Sequence, residues 1–215
     1  TDVNDDLMVT NSAASTTTTF TIKGGAGDDT IAGSNGNDTL TGNGGIDTIT
    51  TNAGVDIVNG GAGNDTIMMA GNLTSADQID GGDDTDTLSL NAGNADADFT
   101  LVTNVETVTN ATAGTLTLGA FAQAAGVRTV VLTNAINTVT AGAYTTAMTV
   151  DAKASTNKLD TMTLSSGDDT IIFDGTTGLE DGDIINTGTG TDTISLDNSA
   201  AAVTIVVDMD DTTNF

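Results

Sequence analysis

A nine-residue beat governs this sequence. Counted from Gly24, the segments GGAGDDTIA (24–32), GSNGNDTLT (33–41), GNGGIDTIT (42–50), TNAGVDIVN (51–59) and GGAGNDTIM (60–68) follow one another without a gap. The full form is G-G-x-G-x-D-x-U-x, with U apolar, and the segments at 24–32 and 60–68 meet it at every specified position. Those at 33–41 and 42–50 lack only the second glycine, whereas 51–59 keeps Gly54, Asp56 and the apolar position. After Met69–Gly71, NLTSADQID (72–80) retains Asp77 and Ile79, and GGDDTDTLS (81–89) carries Asp84 where the fourth glycine belongs. A unit this short cannot bury an apolar face alone. It has to stack on copies of itself, and the fold it specifies is a solenoid.

Each part of the nonapeptide has a physical role. The glycines let the backbone turn tightly and bring carbonyl oxygens inward. The aspartate adds an anionic oxygen, and hard oxygen donors at a turn are what calcium takes, six to eight of them. The apolar eighth residue faces the interior, flanked by threonine, which favours extended backbone. With two nonapeptides to a turn, Asp29, Asp47, Asp65 and Asp86 line one edge, and Asp38, Asp56 and Asp77 line the other. The candidate metal-binding turns also contain Gly24, Gly25, Gly27, Gly33, Gly36, Gly42, Gly45, Gly54, Gly60, Gly61, Gly63, Gly81 and Gly82. The repeats at 51–59 and 72–80 lack most of these glycines and are expected to bind more weakly. A lone Gly-Asp or Gly-Asn pair usually marks a hairpin turn; five consecutive copies in one register favour metal-binding turns instead.

The register returns in LSSGDDTII (164–172), GLEDGDIIN (178–186) and TGTGTDTIS (187–195), with STNKLDTMT (155–163) as a weak copy. There Gly167, Asp169, Asp183, Gly190 and Asp192 are the candidate metal residues; Asp169 pairs with Asp192, and Asp160 with Asp183. Between the blocks the Gly-Asp pairs vanish, but strand-like pieces remain: VETVT (105–109), TLTL (115–118), RTVVLT (128–133), NTVT (137–140) and AMTV (147–150). They alternate threonine or asparagine with apolar residues, at roughly half-turn spacing. GAFAQAAG (119–126) reads as a short helical corner, and Phe121 and Tyr144 as plugs of the solenoid. The chain therefore divides into a leading β segment (1–23), a calcium roll (24–89), a calcium-poor solenoid (90–159), a second repeat block (160–195) and a trailing β segment (196–215). VTIVV (203–207) is a candidate open edge in the last of these.

Composition narrows the function. Thirty acidic residues against four basic ones give a net charge of −26. Phosphate recognition needs clustered cations, and here Lys23, Arg128, Lys153 and Lys158 are scattered, which argues against nucleic acid. Extreme acidity can signal disorder, but 37% of the residues are hydrophobic and they fall in register. With no Cys or His, thiolate chemistry, conventional triads and the usual zinc sites are absent. The only glutamates, Glu106 and Glu180, have no tryptophan platform beside them and read as solvated surface rather than a glycosidase pair. No EF-hand loop occurs, and Asp181 with Asp183 reads as a turn of the solenoid. No apolar run reaches the ~20 residues of a membrane helix. The chain opens at Thr1 without a basic leader and reads as processed or partial.

The nonapeptides resemble those of the RTX, or haemolysin-type, family, strongly over 24–89 and less so over 160–195. That resemblance implies an all-β, right-handed parallel β-roll or β-helix solenoid with Ca2+ in its turns, and export by type I secretion. Threonine- and asparagine-rich β segments between repeat blocks, such as ADFTLVTNVETVTN (97–110), resemble RTX-type bacterial surface-layer proteins. The expected function is then that of a non-enzymatic, extracellular structural protein that folds and self-assembles on calcium. Its expected partners are other copies of itself and cell-surface polysaccharide. The alternative is the carrier region of a secreted toxin, protease, lipase or adhesin; the ending DMDDTTNF (208–215) is compatible with a secretion tail.

Overall fold

Each strand finds its partner one coil later rather than across a hairpin. The computed structural model describes residues 8–9, 18–70, 73–91, 94–110, 114–133, 137–155, 160–164, 166–174 and 183–197. Among these, a ten-stranded sheet runs the length of the molecule. Its strands, in spatial order, are Met8–Val9, Thr30–Ala32, Thr48–Thr50, Thr66–Met69, Thr87–Leu90, Thr107–Asn110, Thr129–Leu132, Thr149–Asp151, Thr170–Asp174 and Thr193–Asp197. The opposite face is divided. Thr21–Lys23, Thr39–Gly44, Ile57–Ala62, Gln78–Asp83 and Val102–Thr103 form a five-stranded sheet, and Gly114–Thr117, Asn137–Thr140, Thr161–Thr163 and Ile184–Asn186 a four-stranded one. The strand pairings are parallel, which excludes the hairpin alternative and gives an all-β parallel β-solenoid.

The strands of the long sheet start short, at three residues with only the middle one inward, as the repeat allots them, while Thr39–Gly44, Ile57–Ala62 and Gln78–Asp83 run on through the next glycines and bury their second and fourth residues. That position stacks into one apolar column per face. Ile31, Ile49, Ile67, Leu88, Val108, Val130, Val150 and Ile171 are buried under the long sheet, Leu40, Val58, Ile79 and Val102 under the second, and Leu116, Val139 and Met162 under the third. In the first block the register advances by 18 residues per turn; later turns take 20 to 23. The longer turns add a second inward position, filled by Met69, Leu90, Leu132 and Phe173.

The middle of the chain keeps the coil but closes its corners differently. Ala120–Ala125 forms the expected helical corner, ending at Gly126 with φ 109°. A 3-10 turn, Asp96–Phe99, sits beside it, and Asp96 Oδ1 accepts the N–H groups of Gly119 (2.7 Å) and Ala122 (3.0 Å). Tyr144 is 2% exposed, and its hydroxyl donates to the Val127 carbonyl (3.1 Å), as a plug should. Phe121 is not a plug: it is 46% exposed, because the second residue of this helix faces outward while Ala122 and Ala125 face the core. No helix among the described residues is long and apolar enough to cross a membrane. The expected edge at 203–207 and the tail at 208–215 lie outside the described residues.

Candidate metal-binding ladders

The repeat aspartates are buried, and they connect one turn to the next. Along the long-sheet edge the Asp29 N–H donates to Asp47 Oδ1 (2.7 Å), Asp47 N–H to Asp65 Oδ1 (2.8 Å) and Asp65 N–H to Asp86 Oδ1 (2.8 Å). Along the other edge Phe20 N–H donates to Asp38 Oδ1, Asp38 N–H to Asp56 Oδ1 and Asp56 N–H to Asp77 Oδ1. All seven carboxylates are 1% exposed or less. The two columns expected from the spacing are therefore both present, and Asp38, Asp47, Asp56, Asp65 and Asp86 are each used twice, main-chain amide to the next turn and carboxylate to the previous one, whereas the Asp77 N–H turns back to the Thr74 carbonyl. A charge-assisted bond of this kind is among the stronger hydrogen bonds available to a turn.

The remaining carboxylate oxygens differ from rung to rung. On the long-sheet edge, Oδ2 of Asp47, Asp65 and Asp86 is buried without a hydrogen-bond partner. On the other, Asp38 Oδ2 accepts the Ser34 N–H, and Asp77 Oδ2 accepts both the N–H (2.8 Å) and hydroxyl (3.0 Å) of Thr74. Burial, opposed by the hydrogen bonds from neighbouring amides and reinforced by neighbouring carboxylates, pushes Asp47 and Asp86 up to about 6. Asp56 is pushed up to about 6 for the same reasons. Burial also raises Asp65 and Asp169. These are anions in want of a counter-charge.

Glycine makes room for them. A Cβ on Gly42 would collide with Asp47 Oδ2 and with the Gly60 carbonyl oxygen of the next turn. Gly24 stands in the same way to Asp29 and Gly42, Gly60 to Asp65 and Gly81, Gly81 to Asp86 and Asn104, and Gly33 to Asp38 and Thr51. So the first glycine of the repeat marks a point where a carboxylate oxygen and a main-chain carbonyl from the adjacent turn converge. The fourth position supplies left-handed backbone, with φ 108° at Gly45, 128° at Gly54, 119° at Gly63, 156° at Gly167 and 145° at Gly190. Gly27 and Gly36 place their carbonyls against Gly45 and Gly54. At the second position Gly25 donates its N–H to Asp29 Oδ2 (2.6 Å), and Gly61 and Gly82 again have positive φ. Asn43, Asn52 and Asp84 adopt positive φ where glycine is replaced, which explains how the imperfect repeats keep their turns.

The donor set is all hard oxygen, anionic and neutral, and it suits calcium. Among the described residues no three acidic side chains converge on one point, so a cation here would draw much of its coordination from main-chain carbonyls. Residues 21–49, 33–67 and 73–95 match the family model of the RTX calcium-binding nonapeptide repeat. This stretch is similar to the RTX calcium-binding repeats, and it folds as a parallel β-roll. No curated protein matches the chain. In this segment the aspartates singled out by spacing stand just before the strands, whereas Gly42, Gly60, Gly61, Gly81 and Gly82, expected in turns, lie within Thr39–Gly44, Ile57–Ala62 and Gln78–Asp83, because the strands of the second sheet run on through the glycine pair.

Two outcomes go beyond the spacing. Glu106 is not simply solvated surface: its Oε2 accepts the Asp86 N–H (2.8 Å), so it extends the long-sheet ladder past the RTX repeats. The signal was there in the sequence, since Glu106 precedes Thr-Val-Thr as Asp47 precedes Thr-Ile-Thr. In the later block, Asp169 N–H donates to Asp192 Oδ1 and Asp160 N–H to Asp183 Oδ1, both at 2.9 Å, so both expected pairs form. Asp160 itself is buried and its Oδ2 has no partner.

Proposed function

We propose that this chain is a non-enzymatic structural element of a bacterial surface layer, exported unfolded and folded outside the cell by calcium. The observation that carries the reading is the long sheet, which continues from the RTX segment through residues 107–151 and on to Asp197. A carrier region needs only the calcium roll, whereas this chain spends as much length on a rod without it. The family match itself also suits the second reading, a carrier region of a secreted toxin, protease, lipase or adhesin, since RTX repeats are typical of secreted proteins.

Calcium would supply the positive charge that the buried carboxylates lack and take the unpartnered Oδ2 atoms of Asp47, Asp65 and Asp86 as ligands. Without it, Asp47, Asp65 and Asp86 must be buried as anions or take up protons, and either choice disfavours folding near pH 7. A glycine-rich, strongly acidic chain in that state remains extended and exportable. Each site filled at a hundredfold excess over its dissociation constant adds ~2.7 kcal/mol to the folded form. Copies would then meet through open strand edges at the rod ends, giving a lattice with itself. Electron microscopy of the native cell surface, with antibody to this chain, is the test. A periodic layer carrying the label supports the surface-layer reading; label confined to a soluble secreted enzyme or toxin defeats it.

A further inference from the structure

The outer face of the long sheet carries no charge from the strand Thr30–Ala32 to the strand Thr129–Leu132. In each of these strands the buried second residue is flanked by two that face away from the core. The first of the two is always threonine: Thr30 pairs with Thr48, Thr48 with Thr66, and so on at each step to Thr193. The second is Ala32, Thr50, Met68, Ser89, Thr109 and Val131 before the first acid, Asp151, is reached. Among the described residues, the charges in these columns are Asp151, Asp174 and Asp197, all at one end, where Lys153 Nζ lies 3.3 Å from Asp151 and 3.4 Å from Asp197. In a chain of net charge −26, a neutral face of this length is the exception.

Threonine alone needs no such reason, since a β-branched side chain suits a strand. The exclusion of charge does need one, and it persists from Thr107 to Val131, beyond the segment that matches the family model. The other faces compare poorly with it. The five-stranded sheet shows Lys23 and Asp80 at outward positions. The four-stranded sheet is neutral at Thr138 and Thr140 but less than half as long. On the long face Met68 is 41% exposed, and beside it a dip of about 150 Å3, bounded by Met69, Ser89, Leu90 and Asn91, has room for a side chain from outside.

We propose that the outer face of the long sheet is a contact surface for a second copy of this chain, the two sheets packing face to face. The inference rests on the surface-layer reading and adds what that reading needs. Contacts between rod ends extend a filament, and a layer requires a lateral contact as well. A second acidic copy is repelled at the corners, where Asp28 and Asp84 are exposed, and meets no like charge along the neutral rungs of this face. The nine strands from Thr30 to Thr193 cover about 43 Å by about 12 Å, at ~4.8 Å per strand and ~3.3 Å per residue. That is about 500 Å2 on each copy, at the low end for a specific contact, which suits one that is repeated along a filament.

The test uses the full chain in saturating calcium, followed by sedimentation, with circular dichroism to confirm that each variant folds as the wild type does. Ser89→Glu/Thr109→Glu should weaken association about tenfold or more, because facing copies then set like charges together. Mixing it with Ser89→Lys/Thr109→Lys should restore association. The chain has no cysteine, so Thr109→Cys places a single thiol on the middle strand of the face, where a two-fold contact brings a residue nearest its own copy. A bismaleimide linker of about 10 Å, the spacing of stacked sheets, should join Thr109→Cys copies and leave Thr138→Cys copies single. Unchanged association in the glutamate variant, or equal joining of both cysteine variants, overturns the proposal. So does a wild type that stays monomeric at millimolar concentration, or one whose Thr109→Cys thiol is shielded by cell-surface polysaccharide and not by a second copy. A labelled surface layer with an indifferent glutamate variant removes this contact alone; paired copies in solution without a labelled layer remove the surface-layer reading alone.

Discussion

The RTX segment and the stretch from Asp96 to Asp151 lay down strands of one sheet, yet they close their corners by opposite means. In the first, the turn is tied by Asp47, Asp65 and Asp86, whose second carboxylate oxygens are buried without partners. In the second, Asp96 caps the helix at Ala120–Ala125, Tyr144 ties its hydroxyl to Val127, and Leu118, Ala122 and Ala125 fill the corner with apolar bulk. One kind of corner leaves buried carboxylate oxygens without partners; the other satisfies the Asp96 carboxylate and the Tyr144 hydroxyl from within. The apolar column beneath is the same in both. Metal dependence in this fold thus belongs to the corner chemistry and not to the sheet.

Removing calcium should divide the two regions most sharply. In excess chelator at neutral pH, amides of residues 24–90 should lose protection by several orders of magnitude, at ~2.7 kcal/mol per emptied site that had been in hundredfold excess, while those of 107–151 change least. Uniform loss across both, read by hydrogen exchange, would break the comparison. Next in size is Gly42→Ala. Its Cβ would overlap Asp47 Oδ2 and the Gly60 carbonyl, and a cost of about 1–3 kcal/mol is expected from the forced shift. Gly142→Ala meets open space and should be close to silent in the same thermal melts.

Acid should stabilise the RTX segment when calcium is absent. The folded pKa of Asp47, Asp56 and Asp86 lies near 6, above the ordinary 3.8, so their contribution to stability is full below about 3.8 and is lost as pH rises through about 6. Circular dichroism melts in chelator should therefore show the RTX segment more stable at pH 4 than at pH 7. A melt that falls on acidification would contradict the uncompensated-anion account. The smallest effect is expected from Tyr144→Phe, about 1 kcal/mol for one buried hydrogen bond, felt in 127–151 and independent of calcium.

Much of this was legible in the sequence because the repeat writes its own register. Asp29, Asp47 and Asp65 stand at fixed intervals, so their stacking follows from counting. The helical corner was legible from GAFAQAAG because alanine needs no partner to favour helix. Glu106 was missed because the turn lengthens after Met69 and the acid changes from Asp to Glu, so the count no longer lands on it. Phe121 was misplaced because a six-residue helix offers too few positions for periodicity to show which side faces inward. The division of the second face into two sheets has no local signature, being set by where the 3-10 turn Asp96–Phe99 and the helix Ala120–Ala125 interrupt the strand succession.

The bonding pattern of the ladder also gives the rod a direction. Every carboxylate reaches back to the amide of the turn before it, Asp65 to Asp47 and Asp47 to Asp29. Deleting one side chain strands a donor upstream and leaves the downstream neighbour's bond intact. The direct loss from one such deletion falls on the turn before it and not on the turn after.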